Sequence, residues 1–333
     1  MPADSNPPAD GPTDDSTGNP ADRPTPPRIA VGPDWAPEVF PWMITALEAG
    51  GAQIVPVEQA EALLWADTQP GERLPEILAR HGEQLRWIQL PWAGTEHYGE
   101  VLDTGRVWTS AKGVYSDGCA EMALTLALAG FRAVGSYARA TTWHKLPEVT
   151  RTLFGSRVVV LGGGGIAEAC VKLIAPFDTH VTVVRRTAEP MEGVDRVVTT
   201  DQLDEVLPGA DLVVLALALT PETECILDAR RLALLGTQSW VVNVARGGHI
   251  VTDDLVDALT RGVIGGAGLD VTDPEPLPDD HPLWSLPNCI ITPHEANNTD
   301  LAVVPLSARL VANVQRFAAG QDLIGVVDPA EGY

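Results

Sequence analysis

Four consecutive glycines separate a β-branched apolar run from a second apolar segment, and this feature constrains the fold most. The run at 158–161 is typical of a buried strand, and the segment from Ile166 onward is typical of a helix. Taken as G-x-G-x-x-A, Gly162 allows a tight turn, Gly164 lets the backbone approach a pyrophosphate, and Ala167 lets helix and strand pack closely. The start of the helix would hold the anion, although four glycines are also compatible with a plain flexible turn. The contacts predicted for a dinucleotide are Gly162, Gly164, Gly165 and Ile166.

Short apolar segments alternate with stretches of helical character on both sides of this turn. They lie at 29–31, 53–55, 62–65 and 87–90, and then at 157–161, 181–184, 211–217, 239–244, 266–270 and 289–292. This alternation is typical of βαβ units with parallel sheets. We therefore predict an α/β protein with a doubly wound sheet in its second half. A long helix, from a cap at Ser116 or Asp117 to Tyr137, would link two lobes.

Charge and composition limit the partners. The 333 residues carry 22 Lys and Arg against 45 Asp and Glu, and this net charge of −23 argues against nucleic acid or an anionic membrane as a partner. The longest apolar stretch, at 122–131, is too short to cross a bilayer, and the N-terminus lacks the features of a signal peptide. The four cysteines have no CxxC spacing and are expected to be reduced core residues, so we predict a cytoplasmic protein.

Three charged or titratable residues follow apolar strands at the edge where open α/β sheets bind ligands. Arg246 lies in N-V-A-R-G-G, Glu275 in L-D-V-T-D-P-E-P, and His294 in T-P-H. A guanidinium suits a carboxylate and polarises a neighbouring carbonyl, whereas an imidazole exchanges protons near neutral pH. A carboxylate against the far nitrogen of the imidazole would fix its tautomer. Together they predict an acid/base site for an anionic carbonyl substrate.

In these motifs the chain resembles the D-isomer-specific 2-hydroxyacid dehydrogenase family, from about Arg28 to its C-terminus. The resemblance implies that Arg246 binds and polarises a 2-oxoacid, that His294 is the acid/base, and that Glu275 supports His294. It also implies that Asp270 contacts the nicotinamide carboxamide. The loop that would hold the substrate carboxylate contains Trp92, Ala93 and Gly94.

The resemblance further implies two Rossmann-like or flavodoxin-like lobes with parallel sheets and an active site in the cleft between them. The substrate domain would be discontinuous, at 28–115 plus 296–333, around a dinucleotide-binding domain at 116–295. Residues 1–27, rich in Pro and Asp, are expected to form a disordered tail. We expect a homodimer, in which Trp143 either reaches the partner's active site or packs in the dimer core.

Cofactor preference is predicted from a departure from the family pattern. After the strand ending at Val184, an Asp or Glu would accept hydrogen bonds from the ribose of NAD, but Arg185, Arg186 and Thr187 stand there. Paired arginines favour a 2′-phosphate, so we predict a preference for NADP(H), with NAD(H) as an alternative, unless both arginines are simply solvated. The other expected cofactor contacts are Ala218, Thr223, Val244, Ala245 and Asp270.

These residues predict an NAD(P)H-dependent reductase of small 2-oxoacids, with glyoxylate or hydroxypyruvate as the leading substrates. A nucleotide-binding regulator of the corepressor type remains the alternative, because such a protein can keep the same residues. The other histidines, including His249, show no metal-ligand spacing and are interpreted as surface or loop residues, and we predict no metal site. Glu295, directly after His294, has no assigned role.

Overall fold

The computed structural model describes residues 25–143 and 150–330, and its strands form two separate parallel sheets. The predicted tail therefore lies outside the described residues up to residue 24. Within the described ranges, no helix combines the length and the hydropathy needed to cross a membrane.

The first sheet has five strands in the order β2-β1-β3-β4-β5, with every neighbouring pair parallel. This order is that of flavodoxin-like folds. The strand at Val107–Thr109 was not predicted, because three residues are too few to show a periodic pattern. The elements of this part of the chain are β1 (Arg28–Gly32), α1 (Ala36–Val39), α2 (Pro41–Ala49), β2 (Gln53–Ile54), β3 (Ala62–Trp65), α3 (Arg73–His81), β4 (Trp87–Gln89) and β5 (Val107–Thr109).

Two helices, α4 (Ser116–Phe131) and α5 (Val134–Arg139), follow where one continuous helix was predicted. The chain breaks at Ala133, whose φ of 52° is left-handed and cannot continue a helix. The predicted side-chain cap is also wrong, since Tyr115 precedes the first helical residue and makes no capping hydrogen bond. Helix α4 packs closely on the second sheet, because a Cβ at Gly130 would lie 2.3 Å from the ring of Trp240.

The second sheet has seven strands in the order β12-β11-β10-β9-β6-β7-β8, all pairs parallel. The central strands β9 and β10 are buried along their whole length because helices cover both faces. The short strand at Arg196–Val198 was not predicted. The elements are β6 (Arg157–Leu161), α6 (Gly165–Ile174), β7 (His180–Val184), β8 (Arg196–Val198), α7 (Leu203–Val206), β9 (Leu212–Leu215), α8 (Ala229–Leu232), β10 (Trp240–Asn243), α9 (Thr252–Thr260), β11 (Gly266–Leu269) and β12 (Cys289–Ile291).

The last helix, α10 (Thr299–Ala318), returns to the first sheet. Its buried residues Leu306, Leu310 and Val314 share a hydrophobic core with Leu47 and Trp87. The side chain of Asn298 caps the helix by accepting a hydrogen bond from the amide of Leu301 at 3.1 Å. The predicted α/β fold with two lobes of parallel strands is thereby confirmed. The exact domain boundaries stay predictions.

Candidate active site

The carboxyl ends of the second sheet's strands collect most of the predicted site residues at one edge. In the order β7, β6, β9, β10, β11, β12 they are followed by Arg185, Gly162, the loop with Ala218 and Thr223, Arg246, Asp270 and His294. Because the strands are parallel, all of these segments lie at the same edge of the sheet, the one formed by the carboxyl ends of the strands. The order places the glycine turn near the middle of the edge and His294, the predicted acid/base, at one end.

The glycine turn has the geometry that the sequence predicts. Gly162 has a φ of 119°, and a Cβ there would lie 2.1 Å from the carbonyl oxygen of Ala216, so only glycine fits. A Cβ at Gly164 would meet nothing within 4 Å, so this position faces open space. Helix α6 begins at Gly165, where a Cβ would lie 2.3 Å from Oγ of Ser116. The turn therefore approaches a neighbouring strand closely while leaving its outer side accessible.

Arg185 lies against this turn. A Cβ at Gly163 would lie 2.8 Å from Cδ of Arg185, and the guanidinium is 3.5 Å from a carboxylate oxygen of Glu189. Arg186 and Thr187 are exposed at the end of β7. Their contact with a cofactor stays a prediction.

Arg246 is held by the backbone of its own segment. The side chain of the buried Asn243 donates to the carbonyl oxygen of Arg246 at 2.8 Å and accepts from the amide of Ala245 at 3.0 Å. The guanidinium, which is partly exposed, donates to the carbonyl of Ala245 at 2.7 Å. Val244 and Ala245 are buried, and their contact with a cofactor stays a prediction. Asn243 is the first residue of N-V-A-R-G, but its contacts were not predicted from the sequence.

His294 and Glu275 form the most specific contact of the site. Nδ1 of His294 is 2.6 Å from Oε1 of Glu275. The carboxylate only accepts, so the proton lies on Nδ1 and Nε2 is left for a substrate. The two side chains are 49% and 42% exposed, which keeps the imidazole accessible. The backbone of His294 is left-handed, with a φ of 56°.

Asp270 holds the loop that contains His294. Its side chain is buried, and its carboxylate accepts hydrogen bonds from Oγ1 of Thr292 at 2.6 Å, the amide of Glu295 at 2.9 Å and the amide of Ala296 at 3.0 Å. Its carbonyl oxygen accepts from the amide of His294 at 2.8 Å. Asp270 thus fixes this loop, a role that sequence analysis missed. Its contact with a nicotinamide stays a prediction.

The loop with Trp92, Ala93 and Gly94 follows β4 of the first sheet. The ring of Trp92 packs edge-on against Phe40, with centroids 6.1 Å apart, and its indole nitrogen is buried without a hydrogen-bond partner among the described residues. Tyr115, directly before α4, donates its hydroxyl to the carbonyl of Pro91. That hydrogen bond connects the predicted carboxylate loop to the start of α4.

Burial differs from expectation at two positions. His249, interpreted as a surface or loop residue, lies in the connection between β10 and α9 but is fully buried, and Cys225 is exposed instead of lying in the core. The sequence signal for His249 is weak, because the residue follows two glycines and precedes an isolated apolar pair. No group of three or more His, Cys, Asp or Glu residues that could hold a metal occurs within 25–143 and 150–330.

Comparison with known proteins assigns the chain that carries this site to a family. Residues 122–296, just over half of the chain, match the family model described as "D-isomer specific 2-hydroxyacid dehydrogenase, NAD binding domain". A glyoxylate/hydroxypyruvate reductase A from Serratia proteamaculans is 31% identical over 307 residues, which cover 86% of this chain and 95% of that protein.

Solved structures agree with this match over the whole fold. A D-isomer specific 2-hydroxyacid dehydrogenase from Xanthobacter autotrophicus Py2, in complex with NADPH and MES, has a TM-score of 0.79 at 28% identity and covers 93% of this chain and 100% of its own. An NADPH-dependent glyoxylate/hydroxypyruvate reductase from Sinorhizobium meliloti, in complex with NADP and sulfate, has a TM-score of 0.75 at 25% identity, covering 92% and 100%. The chain is therefore an oxidoreductase that belongs to the D-isomer-specific 2-hydroxyacid dehydrogenase family.

Proposed function

We propose that this protein uses NADPH to reduce a small 2-oxoacid to the D-2-hydroxyacid, with glyoxylate or hydroxypyruvate as the leading substrates. The observation that carries the proposal is the hydrogen bond of His294 to Glu275, at the same sheet edge as Arg246 and the glycine turn. The reductases of Serratia and Sinorhizobium support the choice of substrates, since both are named for glyoxylate and hydroxypyruvate.

A bound nicotinamide would supply the hydride needed to reduce C2 of the oxoacid. Arg246 pairs with the substrate and stabilises the negative charge that develops on the carbonyl oxygen. The imidazolium form of His294, protonated on both ring nitrogens, donates its Nε2 proton to that oxygen, so the carbonyl becomes a hydroxyl and the ring becomes neutral. Glu275 stabilises the protonated imidazole and fixes its orientation. Asp270 keeps His294 in place through the backbone of its loop.

The residues at the glycine turn fit a dinucleotide. The outer side of Gly164 is open to a phosphate, and the amides at the start of the ten-residue helix α6 follow directly. Arg185 lies over the turn, and Arg186 and Thr187 are exposed beside it, where a 2′-phosphate would add two negative charges. We therefore propose NADP(H) as the preferred cofactor and NAD(H) as the weaker one. Ala218, Thr223, Val244 and Ala245 would contact its nicotinamide half.

The substrate carboxylate would bind at the loop of Trp92, Ala93 and Gly94, with the indole limiting the size of the oxoacid. We also propose a cytoplasmic homodimer. The side chains of Val134 and Tyr137 are exposed on α5, the helix whose residues Gly135 and Ser136 line a cavity of about 280 Å³. Trp143, further along the chain, is also exposed, and a second copy would cover these apolar side chains. Light scattering of the purified protein tests the dimer directly.

The activity test follows the loss of reduced-nicotinamide absorbance with NADPH and NADH, using 2-oxoacids from glyoxylate to phenylpyruvate. We expect turnover of small 2-oxoacids, with a lower KM for NADPH than for NADH. His180 offers a matched control for His294, because it is exposed at the amino end of β7, away from the site. His180→Ala should keep full activity, whereas His294→Ala should lose most of it.

If no 2-oxoacid is turned over although NADPH binds tightly, the reductase proposal is contradicted and a nucleotide-binding regulator is favoured. Equal or better turnover with NADH would contradict the proposed cofactor preference alone. Turnover restricted to bulky acids would contradict the proposed substrate class.

A further inference from the structure

His249 is a buried titratable residue that the proposed reaction does not use. It follows Arg246 by three residues, and its side chain is fully buried. Both ring nitrogens face main-chain carbonyl oxygens, with Nδ1 at 2.9 Å from Thr223 and Nε2 at 3.2 Å from Leu217. Buried histidines are usually satisfied by one or two such partners, so the partners themselves decide what this contact does.

The two carbonyls belong to the two ends of one loop, 217–225, that follows β9. Within the loop, Oγ1 of Thr223 donates to the carbonyl of Ala218 at 2.7 Å and accepts from the amide of Thr220 at 2.8 Å. The amide of Cys225 donates to the carbonyl of Gly248 at 2.8 Å. The loop is thus closed on itself and joined to the segment of His249 at both ends.

This loop lies between the two halves of the candidate active site. At its start, the carbonyl of Ala216 lies against Gly162 of the glycine turn. On its other side the loop is bonded to Gly248 and His249, and the amide of His249 donates to the carbonyl of Arg246 at 3.3 Å. The loop therefore contacts both the backbone beside the phosphate-binding turn and the segment that carries the guanidinium.

The chemistry of the ring indicates which contact is stronger. A carbonyl only accepts, and a neutral imidazole has one N–H, so it donates to one of the two oxygens at a time. The shorter distance places the proton on Nδ1, facing Thr223. Burial is the main cause that holds the pKa of His249 below its ordinary value, and this keeps the ring neutral at physiological pH.

We propose that His249 is a positioning residue for cofactor binding, which orders loop 217–225 between the glycine turn and Arg246 by donating a hydrogen bond to the carbonyl of Thr223, with its other ring nitrogen against the carbonyl of Leu217. The proposal rests on the proposed function, since it assumes that this loop contacts the nicotinamide half of the cofactor. It predicts an effect on cofactor affinity rather than on the chemical step, because His249 touches neither His294 nor Glu275 in the contacts described.

The test compares His249→Phe, which keeps a planar ring but cannot hydrogen bond, with His249→Gln, whose amide can still donate. Hydrogen exchange of the cofactor-free protein is the first readout. We expect exchange of the amides in 218–225 to rise about tenfold in the Phe variant, the effect of losing about one net hydrogen bond, and to be largely restored by Gln. His180→Phe, the same change at an exposed histidine, should leave exchange unchanged.

NADPH affinity, followed by tryptophan fluorescence, is the second readout. His249→Phe should raise the Kd and the KM for NADPH about tenfold, while kcat at saturating cofactor changes less than about twofold. His249→Gln should recover most of the affinity. Should the Phe variant not fold, His249→Leu tests the same loss of hydrogen bonds with a smaller apolar side chain.

Wild-type exchange and wild-type affinity in the Phe or Leu variant would overturn the proposal. Faster exchange throughout the chain, without a local maximum in 218–225, would also overturn it, because the role would then be general stability. If the wild-type protein binds neither NADPH nor NADH, the proposed function fails, whereas the exchange data still decide whether His249 orders the loop.

Discussion

Removing the carboxylate of Asp270 should release the loop that holds His294, and the structure allows the size of the effect to be worked out. The carboxylate is the acceptor for the hydroxyl of Thr292 and for the amides of Glu295 and Ala296. In Asp270→Ala all three donors lose their acceptor. A hydrogen bond to a charged group contributes roughly 1.5–3 kcal/mol to stability when its loss leaves the partner buried.

The three donors do not count equally. The hydrogen bond of Ala296 is buried, so its amide would bear the full cost, whereas those of Thr292 and Glu295 are only partly buried and water can replace the acceptor there. We therefore expect Asp270→Ala to lower the free energy of unfolding by about 2–4 kcal/mol. Asp270→Asn keeps one oxygen but turns an N–H toward one donor, so it should lower the free energy of unfolding by about 1–2 kcal/mol.

Urea unfolding of the cofactor-free protein, followed by the fluorescence of its nine tryptophans, measures this loss. Hydrogen exchange of the amides at 295 and 296 gives a local readout, because the two lobes need not unfold together. Asp280→Asn is the matched control, since Asp280 is an exposed carboxylate in the same connection between β11 and β12. An Asp270→Ala protein whose stability lies within about 0.5 kcal/mol of wild type would refute the argument that this carboxylate holds the loop.

Four further outcomes are expected. His294→Ala should lower kcat for oxoacid reduction about 10²- to 10⁴-fold with an unchanged Kd for NADPH, as stopped-flow and binding measurements would show; a normal kcat would disprove the assigned acid/base. Arg186→Asp should raise the KM for NADPH at least tenfold, about 1.4 kcal/mol, and change that for NADH little, so a parallel change in both would exclude a 2′-phosphate contact. Gly162 has a left-handed backbone and a close carbonyl neighbour, so Gly162→Ala should lower the free energy of unfolding by about 2 kcal/mol or more. A Cβ at Gly164 meets open space, so Gly164→Ala should keep wild-type stability. Thermal melting of the two variants distinguishes these outcomes. Burial lowers the pKa of His249 from 6.5, so the folded protein binds fewer protons than the unfolded chain; stability should fall as pH drops below about 6.5, and His249→Gln should flatten that part of the pH–stability curve.

Much of the candidate site follows from local pattern. The β-branched run before Gly162 and the small residues after it indicate a strand, a tight turn and a helix without any knowledge of their neighbours. Arg246, Glu275 and His294 could be selected because each follows an apolar strand, and parallel strands bring their carboxyl ends to one edge. The order of the motifs was specific enough to identify the family before any contact was known.

Local pattern was misleading where the outcome depended on distant neighbours. The helix expected to run to Tyr137 ends at Phe131, because the left-handed Ala133 redirects the chain. Three-residue strands such as Val107–Thr109 are too short for a period to be visible, and their pairing with a neighbouring strand defines them.

The sequence by itself determined the parallel α/β architecture and the glycine turn, and it selected the candidate acid/base residues, because hydrophobic period and turn chemistry act over a few neighbouring positions. Only the tertiary structure decided the contacts of Asp270, Asn243 and His249. Their hydrogen-bond partners include backbone groups as many as 26 residues away for Asp270 and 32 for His249, and even Asn243 acts through a loop conformation that its sequence does not display. From sequence alone, a polar residue is expected at the surface. Its burial and its hydrogen-bond partners depend on how the whole chain packs, so they are known only from the folded structure.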